Sequence, residues 1–137
     1  CEDPSIQQAR YKMAAPSGTS RVLVQYVVVR SDLLTELKWP IGAVIAQACH
    51  ASTAVLHLFR EDPNTREYTE KLESMHKVVL EATCEAKLTQ LSQKLTDAGV
   101  DHKLWTEQPE NIPTCLATKP YSKAEVQAHF KNFKLFK

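Results

Sequence analysis

Ala43, Gln47, His50, Ala54 and His57 fall at i, i+4, i+7, i+11 and i+14. On an α-helix that spacing puts one amide and two imidazoles on a common flank, with alanines between them that leave room for a ligand or a second backbone. An imidazole can take and return a proton near neutral pH when a partner, most simply a carboxylate, fixes its second nitrogen. Asp32 and Glu107 both fall in expected loops and are candidates for that partner. Spacing leaves open whether either reaches His50, or whether His50 is a helix histidine bonded to a carbonyl. His57 reads as surface. Cys49 adjoins His50, but helix neighbours diverge by about 100°, so no Cys–His nucleophile pair is expected and Cys49 reads as a small buried hydrophobe. The three glycines, Gly18, Gly42 and Gly99, form no phosphate-cradling loop, and G-x-S-x-G is absent. His76, Cys84 and His102 lack ligand spacing, so neither a metal nor a cofactor is expected.

These residues need elements to hold them. Over 39–60, Pro40 suits a first helical turn, and Ile41, Val44, Ile45, Ala48, Val55, Leu56 and Phe59 recur at helical spacing, which predicts their face as the buried one. Before it, VLVQYVVVR at 22–30 is a dense β-branched run with one strongly polar residue, Gln25, and predicts a strand covered on both faces and central in its sheet. A loop at 31–38 then sets Asp32 beyond the strand's carboxyl end, where ligands bind in open α/β sheets; a turn or helix cap is the other reading of that carboxylate.

Downstream, Asp62-Pro63 reads as an N-cap and first helical residue, with Tyr68, Leu72 and Met75 on one face. Five acids against two bases over 61–76 turn this helix away from any RNA. KVVLEA at 77–82 is a second strand, and Thr83 caps a helix with a Leu88, Leu91, Leu95 stripe closed by Gly99. Strands at 101–106 and 113–118 are joined by a loop too short for a crossover, which makes them antiparallel. Ser122 and Glu125 form an S-x-x-E capping box before a terminal helix that buries Val126, Phe130 and Phe133. The order predicts a three-layer α/β/α domain over 21–137 with a mixed, about four-stranded sheet and right-handed helical crossovers. Residues 1–20 lack apolar periodicity and read as a disordered lead-in. Met13 looks like a natural start, from which the protein should fold with unchanged stability.

Composition narrows the function class. With 137 residues and 43% hydrophobic content there is enough chain for one real core. Seventeen basic against sixteen acidic side chains give no bulk drive toward nucleic acid, so any anion contact must be local. Four cysteines without metal-type spacing read as reduced thiols of a cytoplasmic protein, and no apolar run reaches the ~20 residues of a membrane span. From Lys119 onward five lysines face one glutamate, either as a solvated helix face or as an RNA-backbone contact. Trp39 and Trp105 can pack on the sheet or stack on a base.

V-V-V-R-S-D-L at 27–33, A-Q-A-C-H-A at 46–51 and K-V-V-L-E-A at 77–82 together resemble the type 2 peptidyl-tRNA hydrolase family, in a divergent eukaryotic branch, over about 22–137. The resemblance implies an α/β/α domain that cleaves the ester between a peptide and the tRNA 3′ ribose, needs no metal, and often pairs as a homodimer. It implies that His50 activates water, that Glu107 or Asp32 orients it, and that Gln47 holds the substrate carbonyl. Glu107 stands where the family has Asp, and Asn111 where it has Thr. Lys38, Asn111 and terminal lysines such as Lys123 are then the substrate contacts. The family's Lys-Gly-Lys ahead of the A-Q-x-x-H-A segment is Ile41-Gly42-Ala43 in this chain. Two readings follow: a tRNA-recycling hydrolase of translation, or a family member that binds tRNA or a protein without turnover.

Overall fold

The computed structural model describes residues 22–137, so the expected lead-in at 1–20 and start at Met13 lie outside the described residues. The β-branched run becomes β1 (Leu23–Arg30), buried along its whole length. It pairs in parallel with β2 (Lys77–Ala82) and antiparallel with β4 (Ile112–Thr118). β3 (His102–Glu107) forms the expected antiparallel hairpin with β4, which gives the order β2-β1-β4-β3 and a central first strand. One strand was not anticipated: the two-residue β5 (Tyr121–Ser122) pairs with Leu23 and Val24, where β4 no longer covers β1. The mixed sheet thus has five strands.

The helices are α1 (Asp32–Thr35), α2 (Ile41–Leu58), α3 (Pro63–Glu70), α4 (Glu85–Asp97) and α5 (Lys123–Val126). α1 is a single turn inside the expected 31–38 loop. Alternation along β1 splits the core in two. Val27 and Val29 face α2 with Leu33, Val44, Ala51 and Val55. Val24, Tyr26 and Val28 face α4 through Leu88, Leu91 and Leu95, with Val126 and Phe130 beside them. Tyr26 stacks on Phe130 at 4.2 Å between ring centroids. Gln25, buried in this run, is satisfied: its Oε1 accepts from Ser52 Oγ at 3.1 Å and from Lys77 Nζ.

α2 has the expected extent and a different orientation. Ile41 and Ile45 are 68% and 57% exposed, while Gln47 is 1% exposed. The buried stripe is Val44, Gln47, Ala51 and Val55, at i, i+3, i+7 and i+11, rotated from the most apolar face so that Gln47 meets the sheet. Cys49, expected to be buried, is exposed for the same reason. Among the described residues α2 alone is long and apolar enough to cross a membrane, yet these contacts use it as the core helix of one layer.

Local signals were met unevenly. Asp62 caps α3 by accepting from Asn64 N at 2.9 Å, whereas Leu72 is exposed beyond the helix end. α4 is preceded by Cys84 rather than Thr83 in the cap position, with no side-chain cap; Gly99, at φ +70°, ends it as expected. Ser122 makes no side-chain cap bond, since it is paired with Leu23 in β5, and the terminal helix is one turn followed by a 3-10 turn, Gln127–Phe130. Lys119 leaves the outward basic set altogether: it is buried, 3.0 Å from Asp62 and over the Tyr121 ring. The chain end finally covers the outer edge of β2, with Glu81 N bonded to Lys134 O and Phe136 N to Val79 O at 2.9 and 3.0 Å. That occupies backbone groups that would otherwise invite another strand.

Candidate active site

β4 runs antiparallel to β1 and to β3, so its first residues lie beside their last ones. Glu107 ends β3 opposite Ile112, and Thr114 follows two residues on. Over these strand ends packs the first half of α2, which lowers Gln47 between them. Gln47 Nε2 donates to Glu107 Oε2 at 2.7 Å and to Ala43 O at 3.1 Å, and Gln47 Oε1 accepts from Thr114 Oγ1 at 2.8 Å. Both amide hydrogens are therefore committed. Gln47 fixes the carboxylate and has no N–H left to hold a substrate carbonyl, the role the resemblance implied for it.

Glu107 receives further donors: Trp105 Nε1 at 3.4 Å and Gln108 N at 3.3 Å, both on Oε1. The Gln47 hydrogen bond, with help from Trp105, the Gln108 amide and the nearby His50, outweighs desolvation and holds the Glu107 carboxyl below its ordinary range. It is a carboxylate at neutral pH. His50 lies flat against Trp105, with ring centroids 4.7 Å apart and planes 15° apart, and is exposed on its outer side. Among the described residues no hydrogen bond joins His50 to Asp32 or Glu107.

An open pocket of about 430 Å³ fronts this pair, lined by Trp39, Pro40, Ala43, Gln47, Glu107 and Glu110 among others. The amino end of α2 opens into it. Ala43 N and Val44 N bond back to Pro40 O, while among the described residues the N–H groups of Ile41 and Gly42 meet no acceptor and α2 carries no side-chain cap. An 18-residue helix puts partial positive charge at that end, and its Pro40 and Ala43 share the pocket lining with Glu107. The site therefore offers a proton acceptor and an anion-stabilising surface across one cavity.

The other expected residues lie as follows. Asp32 is gripped by Arg30, Nε to Oδ1 at 3.0 Å and Nη2 to Oδ2 at 2.9 Å, and Arg30 Nη1 also reaches Pro113 O at 3.0 Å. Arg30 thus ties β1 to the start of β4 and occupies Asp32. Lys38, at φ 58°, is exposed one residue before Trp39. Asn111, at φ 57°, shapes the β3–β4 turn by donating its N–H to Glu107 O at 2.7 Å and accepting at Oδ1 from Gln108 Nε2 at 3.1 Å. Lys123 follows β5 at the amino end of β1, a strand length of roughly 25 Å from the Glu107 end. Thr114 and Arg30 had no assigned role in the sequence, although a hydroxyl or a charge inside an apolar strand run is the signal by which such residues are found. Among the described residues, no three His, Cys, Asp or Glu side chains are grouped to hold a metal ion.

A family model described as "Peptidyl-tRNA hydrolase PTH2" matches residues 23–136. A human protein named "Putative peptidyl-tRNA hydrolase PTRHD1" is 52% identical over 135 residues, covering 98% of this chain and 96% of its own length. The mouse protein of the same name is 51% identical, covering 92% and 91%. A "Peptidyl-tRNA hydrolase" of the archaeon Methanothermobacter thermautotrophicus is 32% identical over 101 residues, covering 70% of this chain and 84% of the relative.

Proposed function

The chain belongs to the peptidyl-tRNA hydrolase PTH2 family, and from that premise we propose that it hydrolyses the ester joining a peptide to the 3′ ribose of tRNA in the pocket beside Gln47 and Glu107. The observation that carries this reading is the Gln47–Glu107 hydrogen bond, which holds an ionised carboxylate at the pocket wall. Glu107 takes a proton from water as the water oxygen adds to the ester carbonyl. The oxyanion that forms is stabilised by the positive end of α2, whose Pro40 and Ala43 line the pocket with Glu107. Collapse breaks the bond to the ribose oxygen, which takes the proton back from Glu107, leaving a peptide carboxyl group and a free 3′ hydroxyl. Glu107 rather than His50 is the base, since among the described residues no hydrogen bond orients the imidazole, which is stacked on Trp105.

Lys38, next to Trp39, meets a phosphate near the 3′ end; Asn111 holds the Glu107 turn in shape; Lys123, at the far end, serves the body of the tRNA. Asp32 acts indirectly, by anchoring Arg30 under the start of β4. The setting is recycling of tRNA for translation in the cytoplasm, off the membrane, and the exposed Ile41 and Ile45 support pairing of two copies, which sedimentation of the purified protein checks.

The second reading is retention of tRNA without turnover. It is favoured by Ile41-Gly42-Ala43 in place of the family's paired lysines, and by a second carboxylate, Glu110, at the pocket. Release of N-acetylated amino acid from tRNA separates the two. Cleavage clearly above the uncatalysed rate supports hydrolysis; background cleavage with salt-sensitive tRNA retention leaves only binding.

A further inference from the structure

His50 and Trp105 come from different elements, α2 and β3, and meet ring on ring at 4.7 Å with nearly parallel planes. Trp105 backs the imidazole from below, and its indole N–H points to the Glu107 carboxylate at 3.4 Å. On the other side His50 is exposed. The result is a flat ring, already immobilised by its neighbour, that presents one free face to solvent beside the pocket. Gln47 and His50 are i and i+3 on α2, so their side chains are neighbours about 5–6 Å apart. Whatever covers His50 therefore lies within a nucleotide's reach of the carboxylate.

We propose that the exposed face of His50, backed by Trp105, is the stacking platform for the unpaired terminal base of an RNA 3′ end, the adenine that closes tRNA. This proposal rests on the tRNA reading above but not on turnover. An ester on the terminal ribose at Glu107 requires its own base to sit within the same nucleotide, which is where the open ring stands. Stacking suits the site chemically, because every base has a π-face and bases stack on histidine and aromatic rings without needing a hydrogen-bond code. It suits the charge pattern as well: Glu107 and Glu110 disfavour phosphates directly at the pocket, so the end of the chain must be held by its base. The tryptophan behind the imidazole supplies rigidity, so little ordering remains to oppose binding.

The test uses deacylated tRNA ending in CCA and the same tRNA trimmed to CC, titrated into the wild-type protein and into the variants His50→Ala and His50→Phe. Trimming is expected to weaken wild-type binding by about 5- to 150-fold, the range for loss of one base–aromatic stack. His50→Ala should bind both RNAs with the same weaker affinity. His50→Phe, which keeps a flat ring but cannot move a proton, should regain the preference for CCA. Equal wild-type affinity for the two RNAs overturns the platform, as does a phenylalanine variant that behaves like the alanine one. A hydrolysis assay beside it keeps the readings apart: turnover without a CCA preference removes the platform alone, a preference without turnover removes hydrolysis alone, and no tRNA binding removes both.

Discussion

Gln47 is the residue on which the site geometry depends, because it commits both amide hydrogens and its carbonyl oxygen to protein partners while 1% exposed. Its largest effect is electrostatic. As the first support of the lowered Glu107 carboxyl, it widens the pH range in which that group is an ionised base. Replacing Gln47 by Ala should move the acid limb of the pH–rate profile upward, toward the ordinary glutamate value near ~4.3. An unmoved limb would mean that Glu107 is not the titrating group. Stability follows the same sign: with Glu107 below its unfolded value, its contribution is full above that value and fades as pH falls through the folded one. Little of this was legible in the sequence. Gln47 and Glu107 both stood out as polar residues in suggestive places, but they are 60 positions apart, and Thr114 is 67 from Gln47. Local spacing carries no information about contacts made across a sheet.

At the scale of elements, periodicity found α2 but not the face it buries. Two apolar stripes overlap there, the more apolar one through Ile41 and Ile45 and another through Val44, Ala51 and Val55. The second is chosen because Gln47 on it is satisfied by Thr114 and Glu107, so burying an amide costs little. The same logic governs Asp62 and Lys119. Asp62 was legible as a cap, yet it also neutralises the buried Lys119, which counted as a surface lysine in the sequence. Burial raises the Asp62 pKa, but the Lys119 ammonium and the Asn64 and Thr65 amides bring it below the ordinary value overall. Asp62→Ala removes the cap and strands the ammonium, and should cost about 3–5 kcal/mol in urea unfolding. Lys119→Met should cost less, since Asp62 keeps its bond to Asn64 N and some solvent. Equal losses would show that the pair itself, not the stranded charge, sets the energy.

The whole molecule was the most legible level: one fully buried strand at the centre, helices on both faces and an antiparallel hairpin all follow from residue patterns that act locally. What escaped were the margins. β5 is two residues long, and the chain end reaches β2 through backbone bonds that any sequence could make. Ending the protein at Phe133 should open the β2 edge, where Val79 is already exposed, and raise self-association in sedimentation; an unchanged monomer-to-oligomer ratio would mean that the edge is protected in some other way.

The central claim, a carboxylate base in a tRNA esterase pocket, is tested most directly by the single-turnover cleavage rate of N-acetyl-aminoacyl-tRNA with wild-type protein and with Glu107→Gln. The glutamine keeps the shape and can still bond to Gln47 but cannot accept the proton. A fall of about 10²- to 10⁴-fold at unchanged tRNA affinity is the predicted result. Equal rates for the two proteins would contradict it.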